Sequence, residues 1–433
     1  MSRLLVISYS GFSDTNANGI TMKNLLSAFE PEELAQFYCD VQPPDHAAAH
    51  RCFRVTDTQM LKAFFGKGFR REFVGEPSAA VAQSPVQATA SAGAPKRIPA
   101  WLKKFKYNFA VKWTRENLWR LSPWGHRRLK AWVREFAPDA IVYMVGESIF
   151  MDKLVMKLCR DTGAKLIAYS GEAYRLIDLK TRHGLERAYY RKTHKLYAKL
   201  HAMAQLVIYS CPMIQQDYTA KYGPAAREMI AYNSAVCDKR EYVPGEDVCI
   251  TYFGNLGVGR SNTLLQVAQV LQRIDPALRL DIYGNAAAED EKRFAQRENI
   301  RYHGFVDAAQ LHQIVENSDI LLHVESFDEK IVPKLRYAFS TKIAQCLCAG
   351  RCFVSYAPAD SASGRYLAEA EGAILLSDGQ ALEQMLCRLV KEPALRQEYA
   401  RKAAQTGARN HDRNATARRV REEIEGMLCV TQS

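Results

Sequence analysis

Cys249-Ile250-Thr251-Tyr252-Phe253-Gly254-Asn255-Leu256-Gly257-Val258-Gly259-Arg260 is the stretch whose reading decides the fold. Its first five residues form a short apolar run of the kind that builds a buried strand, and Ser261 to Val267 carries the apolar spacing of a helix. Glycines between a strand and a helix let the backbone approach a ligand closely. The helix start presents unpaired N–H groups and the positive end of a dipole, and Arg260 adds a bidentate cation. Diphosphate suits such a site. The order Gly254-x-x-Gly257-x-Gly259 differs from the G-x-G-x-x-G of dinucleotide enzymes, and a plain tight turn is the alternative reading.

The blocks that follow decide between them: Leu278 to Gly284, Ile300 to Val306, Asp319 to Glu325, and Ser340-Thr341-Lys342-Ile343-Ala344-Gln345-Cys346-Leu347-Cys348-Ala349-Gly350. In that order they resemble the nucleotide-sugar half of glycosyltransferase family 4, retaining enzymes of GT-B architecture that build cell-surface polysaccharides and glycolipids. The resemblance is good over roughly residues 200 to 425. It implies that Gly257 and Arg260 hold the donor diphosphate, that Gly304 and Phe305 lie by the base, and that Thr341, Lys342 and Gln345 contact phosphate and ribose. The family's pair of glutamates eight residues apart would fall on Tyr337 and Gln345, so the sequence departs from the pattern here. A glutamine amide still bonds ribose hydroxyls, and Glu325, Asp328 and Glu329 are candidate carboxylates from the preceding loop.

At 433 residues with 48% hydrophobic content the chain is long enough for two cores. Buried strand runs at Leu4 to Ser8, Ala140 to Val145, Lys165 to Ser170, Gln205 to Ser210 and Glu228 to Asn233 alternate with helical stretches such as Met151 to Arg160. Such alternation implies a parallel, doubly wound sheet. The expected fold class is α/β, two Rossmann-like domains facing a cleft in GT-B architecture. The expected domains are 1–235 on the acceptor side, 236–410 on the donor side, and a helix within 411–433 (Ala415 to Met427) returning to the first.

Ligands meet the carboxyl ends of strands in such sheets, which nominates the loops carrying Ser10, Gly11 and Asn18-Gly19-Ile20-Thr21, then Gly146-Glu147-Ser148, then Ser170 to Tyr174. Gly19 is the candidate phosphate or acceptor contact and Glu172 the favoured acceptor or sugar contact, with Glu147 behind it. Helix capping is the competing role for both acids.

Of the net charge of +12, the segment from Trp101 to Phe136 carries ten Lys or Arg against Glu116 and Glu135, and it holds all five tryptophans. Tryptophan favours the headgroup boundary and each cation near anionic lipid contributes about 1 kcal/mol, so residues 101–136 are the candidate contact with an anionic membrane surface. Phe105, Phe109 and Trp113 recur every four residues, and the competing reading is that this face packs inward as core. A second basic stretch, Arg182 to Lys199, extends either reading. Nucleic acid would also suit basic and aromatic residues, but no module signature accompanies them and none is expected as a partner. The stretch from Glu76 to Pro99 is poor in aromatic and charged residues and reads as a disordered loop.

Eleven cysteines without C-x-x-C spacing read as reduced core thiols. No metal is expected, because no D-x-D motif occurs in a donor-like setting, and no cofactor beyond the nucleoside diphosphate sugar itself. The opening Met1 to Ser8 is too short for a signal peptide and no window reaches the roughly eighteen apolar residues of a membrane span. The expected location is the cytoplasm, peripheral at the inner face of the cell membrane.

The expected activity is hexosyl transfer from a nucleoside diphosphate sugar to a glycan or lipid-linked acceptor of lipopolysaccharide, capsule or exopolysaccharide. Arg260, Lys342 and Glu172 are the expected catalytic residues, and retention of configuration rests on the resemblance. A nucleotide-sugar epimerase of GT-B fold and a non-catalytic donor-binding partner are the alternatives.

Overall fold

The computed structural model describes residues 2–43, 45–66, 109–237, 240–245 and 247–429. They fall into two compact units, one of 1–209, 215–230 and 421–433, the other of 210–214 and 231–420. The stretch from Glu76 to Pro99 lies outside the described residues, as do Trp101 and Phe105.

The first unit is built on seven parallel strands: β1 (Leu4–Ile7), β2 (Leu34–Tyr38), β3 (Arg51–Arg54), β4 (Ala140–Met144), β5 (Lys165–Ser170), β6 (Ala204–Tyr209) and β7 (Glu228–Ile230). Their spatial order is β3-β2-β1-β4-β5-β6-β7. Helices cover both faces of such a sheet, so its inner strands are buried from end to end rather than alternately: β1, β2 and nearly all of β4 and β5 are inaccessible. Five of these strands carry apolar runs visible in the sequence. The other two do not look like strands, because β2 holds a buried Gln36 and β3 is flanked by arginines. Gln36 is tolerated because its side chain accepts from the Phe12 N–H at 3.0 Å and donates to Ser8 Oγ at 3.3 Å.

The loops after β4 and β5 are fixed by an ion pair with no solvent access. Arg175 Nη2 donates to both oxygens of Asp152 at 2.9 Å and to the Gly146 carbonyl, and Tyr143 Oη donates to Asp152 at 2.8 Å. The Arg175 carbonyl in turn accepts from Lys221 Nζ and Tyr222 Oη, each at 2.7 Å.

The basic, aromatic segment folds as two helices, Phe109–Leu121 and His126–Phe136, and its described tryptophans turn inward. Trp119 stacks flat on Phe150 with centroids 4.2 Å apart and meets Trp124 edge-on at 5.1 Å, while Trp132 packs on Phe53 at 5.4 Å. Phe109 and Trp113 pack beside Tyr189, Tyr190 and Ile149. The indole N–H groups of Trp119 and Trp124 are also committed, to Asp57 and to the Trp119 carbonyl. Aromatic area buried against other rings stabilises the core, so the inward reading holds for this part of the segment. The tryptophan argument for membrane contact falls away there. Three of its cations are paired as well, Lys112 with Glu147, Arg115 with Asp57, and Lys130 with Asp161.

The second unit is built on six parallel strands: β8 (Ile250–Phe253), β9 (Leu280–Tyr283), β10 (Ile300–Gly304), β11 (Ile320–Val324), β12 (Cys352–Tyr356) and β13 (Ile374–Leu376), in the order β10-β9-β8-β11-β12-β13. The chain reverses its direction of growth between β8 and β11, so a crevice opens beyond the carboxyl ends of those two strands. Alternation along β8 sends Tyr252 into the core on one face and Phe253 into the core on the other. The last helix spans Arg413–Cys429. Its Arg421 pairs with Glu33 at 3.0 Å and donates to the Ala28 carbonyl, and Lys165 Nζ donates to the Met427 carbonyl at 2.7 Å.

No described helix is long and apolar enough to cross a membrane. All eleven cysteines are free thiols, but two are not isolated: the sulfurs of Cys237 and Cys348 lie 2.7 Å apart.

Removing one member of a wholly buried ion pair leaves the other as an uncompensated charge. Asp152→Ala is therefore expected to lower the unfolding free energy by about 3 to 5 kcal/mol, read as a fall in the denaturant midpoint. An unchanged midpoint would show that Arg175 relaxes into solvent and does not anchor these loops.

Candidate functional site

Beyond β8 the chain takes a conformation that glycine permits. Gly254 has φ +125°, and a Cβ there would lie 2.5 Å from Lys342 Cδ and 2.8 Å from its Nζ. The backbone angle calls for glycine, and a Cβ would also push the Lys342 side chain aside. Gly259 has φ +79°, and a Cβ there would meet Ser326 Oγ at 2.5 Å. The helix Arg260–Ile274 starts directly after it with no side chain capping its first turn; the Arg260 and Asn262 N–H groups donate to the Gly257 and Gly259 carbonyls at 3.4 and 3.2 Å, so the start offers an anion chiefly the positive end of the helix dipole. Gly257 plays a different part from the one expected, since its N–H donates to Asn255 Oδ1 at 2.7 Å in a local turn.

Arg260 is half of a bidentate pair. Its Nε and Nη2 each donate to Glu325 at 2.9 Å, leaving Nη1 as the uncommitted donor. Both side chains are largely shielded, at 12% and 3% exposure. Glu325 is thus the one acid of the loop after β11 that enters the site. Asp328 accepts from the Lys330 backbone instead, and Glu329 is exposed. Burial pushes the Glu325 carboxyl up, but His323 and the Arg260 fork outweigh it and hold the group down at about 2. His323 is wholly buried, and burial keeps its imidazole below the ordinary value. Its Nδ1 lies 3.1 Å from Ser355 Oγ, while Nε2 faces Glu325 Oε1 at 3.4 Å without completing a hydrogen bond.

Lys342 reaches the same place from the helix Thr341–Cys348, whose start is capped by Ser340. Its ammonium donates to Tyr252 Oη at 2.8 Å and stands 4.6 Å from the centre of that ring. Burial first, and then the charge of Arg260, press its pKa down to about 7. Two cations and one carboxylate therefore converge at the switch between β8 and β11, and an incoming diphosphate would find Nη1 of Arg260, Nζ of Lys342 and the helix start within one crevice.

Gly254 belonged to the glycine turn of the sequence, whereas Tyr252, His323 and Ser326 were not singled out there. Their spacing carries no signal, and only the strand order brings them together.

The remaining expected residues are more dispersed. Thr341 opens the Lys342 helix. Gln345, one turn further, is exposed and lines a cavity of about 200 Å3 with Phe253, Ala308, Leu311 and Val315. Gly304 ends β10 at φ +73° in open space, and Phe305 is 66% exposed. In the first unit Gly19 is explained by packing, since a Cβ there would lie 2.5 Å from the Gly11 carbonyl oxygen. Glu172 precedes the short turn Ala173–Arg175 without capping it. Its backbone carbonyl accepts from Tyr218 Oη at 2.7 Å, while its carboxylate keeps an exposed edge, and the crowding of the loop raises its pKa. Glu147 is tied to Lys112.

The same architecture recurs in known proteins. HepE of Anabaena, solved with UDP and with UDP-glucose, superposes with a TM-score of 0.64 at 11% identity, covering 98% of this chain and 100% of that one. The chain has the GT-B fold. Sucrose-phosphate synthase from Thermosynechococcus elongatus gives a TM-score of 0.61 at 12% identity over the full length of both chains. WaaG, a glycosyltransferase involved in lipopolysaccharide biosynthesis, gives 0.57 at 11% identity, over 96% of this chain and 98% of that one. At such identities the likeness is one of fold. By sequence, residues 260–422 match the glycosyl transferase-like family model, a match that begins at Arg260. No curated protein matches the sequence.

A ligand phosphate beside Nζ would raise the depressed pKa of Lys342, so binding takes up a proton. Affinity is then fully expressed below the ligand-free value and lost as pH rises towards the ligand-bound value, by up to about tenfold per pH unit. Titration with a nucleotide sugar, whose diphosphate does not titrate in this range, is expected to show Kd rising between about pH 7 and 9. The slope is expected to flatten in Lys342→Met. A pH-independent Kd in the unaltered protein would remove Lys342 from the contact.

Proposed function

We propose that this chain is a glycosyltransferase that moves a hexosyl group from a nucleoside diphosphate donor to a hydroxyl of a glycan or lipid-linked acceptor, in cell-surface polysaccharide biosynthesis and with retention of configuration. The observation that carries the reading is the convergence of Arg260 and Lys342 on the glycine turn at the β8–β11 switch. That is where an open α/β sheet binds ligands. The glycosyl transferase-like match over 260–422 supports it, as do the UDP and UDP-glucose held by the similarly folded HepE.

In this reaction the glycosidic bond to the diphosphate breaks and negative charge grows on the departing oxygen. Arg260 Nη1, the Lys342 ammonium and the positive dipole end of the helix Arg260–Ile274 neutralise that charge. Preoriented donors of this kind act strongly because they need no reorganisation as the bond breaks. Glu325 holds the Arg260 fork in place and prevents it from collapsing onto another acceptor. Thr341 and Gln345 serve phosphate and ribose, with the cavity beside Gln345 and the Gly304-Phe305 turn on the base side. Glu172 serves the acceptor or the sugar, since its carboxylate is committed to no other group among the described residues and its pKa is raised by desolvation. The leaving group is stabilised by side chains and requires no metal ion. The place of action is the cytoplasmic face of the membrane, approached peripherally through the cations of residues 101–136.

The test is transfer of labelled sugar together with thermal stabilisation by a panel of nucleoside diphosphates and their sugars. One nucleotide series is expected to stabilise the protein, and a chelator is expected to leave that stabilisation in place. Arg260→Ala and Lys342→Ala are each expected to cost about 2 kcal/mol or more of transition-state stabilisation, with the circular dichroism spectrum unchanged. Unaltered rates in both variants would move the chemistry elsewhere in the chain.

A further inference from the structure

The sulfurs of Cys237 and Cys348, 2.7 Å apart in the second unit, are each brought there by their own packing. Cys348 closes the helix Thr341–Cys348, whose Ile343, Cys346 and Leu347 are buried in one core with Leu321 and Phe353. Cys237 follows a segment that is pinned just ahead of it. The Ala235 N–H donates to the His411 carbonyl and the Ala235 carbonyl accepts from the Arg413 N–H, both at 2.9 Å, while Asn233 Nδ2 donates to the Phe339 carbonyl at 3.0 Å. Cys348 Sγ also stands 3.8 Å from the Ala235 carbonyl oxygen. With both backbones held in this way, the meeting of the two sulfurs is set by the fold.

The two thiols differ in access. Cys348 is buried, whereas Cys237 is partly exposed beside the exposed Val236. Val236 and Ala349, their neighbours in the chain, both line the cavity beside Gln345. The hydrogen bond with Cys237 first, and burial second, raise the Cys348 thiol far above its ordinary value, so Cys348 does not begin an exchange as a thiolate. Once Cys237 carries another group that hydrogen bond is gone, and the largest cause of the rise goes with it. An accessible first thiol beside a buried second one, freed by the reaction of the first, is the arrangement of an attacking and a resolving cysteine.

We propose that Cys237 and Cys348 are a thiol–disulfide modification site, closed by exchange with a low-molecular-weight disulfide and reopened by the corresponding thiol. The Cys237 thiolate attacks one sulfur of the reagent, whose S–S bond breaks and releases a thiolate that takes up the proton Cys237 gave up. Cys348 then loses its proton and attacks the Cys237 sulfur, and the second thiol leaves. Two protein thiols are thereby oxidised to one disulfide while the reagent disulfide is reduced to two thiols. The bond fastens residues 231–237 to the end of the helix whose first turn presents Lys342. The site is distinct from the Arg260–Lys342 crevice and does not rest on the donor reading.

The test equilibrates the fully reduced full chain with oxidised glutathione at increasing concentration and fixed reduced glutathione, blocks the remaining thiols, and maps the peptides by tandem mass spectrometry. The unaltered protein is expected to yield a peptide cross-linked between Cys237 and Cys348. The exposed Cys429 serves as an internal reference, because it has only a second glutathione to complete its exchange. The cross-link is expected at an oxidised glutathione concentration at least about tenfold lower than that at which Cys429 becomes glutathionylated, since the resolving thiol is already in place. Cys348→Ser is expected to stop at a glutathionyl group on Cys237, and Cys237→Ser to leave Cys348 unmodified. The thermal midpoint of the unaltered protein is expected to rise on oxidation and to fall back with dithiothreitol, because the bond closes a long loop, and the rise is expected to vanish in either variant. If Cys237 accumulates glutathione in the unaltered protein without the cross-link, or reacts at no lower concentration than Cys429, the inference is overturned and the two are ordinary packed thiols. None of these readouts involves a nucleotide, so failure here is distinct from failure of the donor site.

Discussion

The second unit depends on one close approach, the Lys342 side chain lying across Gly254. The turn holds φ +125°, an angle that side chains rarely adopt, and a Cβ there would also force the lysine aside, so the lysine, the glycine and the strand order go together. β8 must lie beside β11 for the helix after β11 to aim its first turn at the end of β8. The turn must then be glycine for the ammonium to reach Tyr252. Placed there, the charge is desolvated, and its neighbour Arg260 is also positive. The Glu325 carboxylate balances part of that charge. It is held ionised by the arginine it orients, and its own backbone carbonyl is fixed by Thr263 Oγ1 at 3.0 Å. The outcome is a crevice in which two cations face one carboxylate.

The first unit is held by different means. Its loops after β4 and β5 hang on the buried Arg175–Asp152 pair, and its helical layer on stacked aromatic rings. The basic segment illustrates the difference between composition and placement. Its described tryptophans serve the core, and Lys112, Arg115 and Lys130 are matched by carboxylates.

Much of the fold was legible in the sequence because parallel strands covered on both faces must be apolar throughout, and runs such as Ala140 to Met144 and Ile320 to Val324 have no other simple use. β2 and β3 escaped because burial of Gln36 is compensated by partners 24 and 28 residues away, which no local pattern records. Arg260 and Lys342 were legible as cations beside glycine turns. Their pairing with Glu325 and Tyr252 was not, since the contacts span 65 and 90 residues. For the same reason the sulfurs of Cys237 and Cys348, 111 residues apart, read as isolated thiols.

By itself the sequence determined that this protein is an α/β chain of two parallel sheets, with a glycine turn and a cation after the first strand of the second sheet. Those features follow from local physics, from apolar runs that must be buried and from glycines that reach backbone angles other residues avoid. Only the tertiary structure decided which acid joins the site, why Gly257 turns its N–H to Asn255, and which way the aromatic face of the basic segment points. Each of those choices is made by a partner distant in the chain or by competition among neighbours, and is fixed only when the strands take their order.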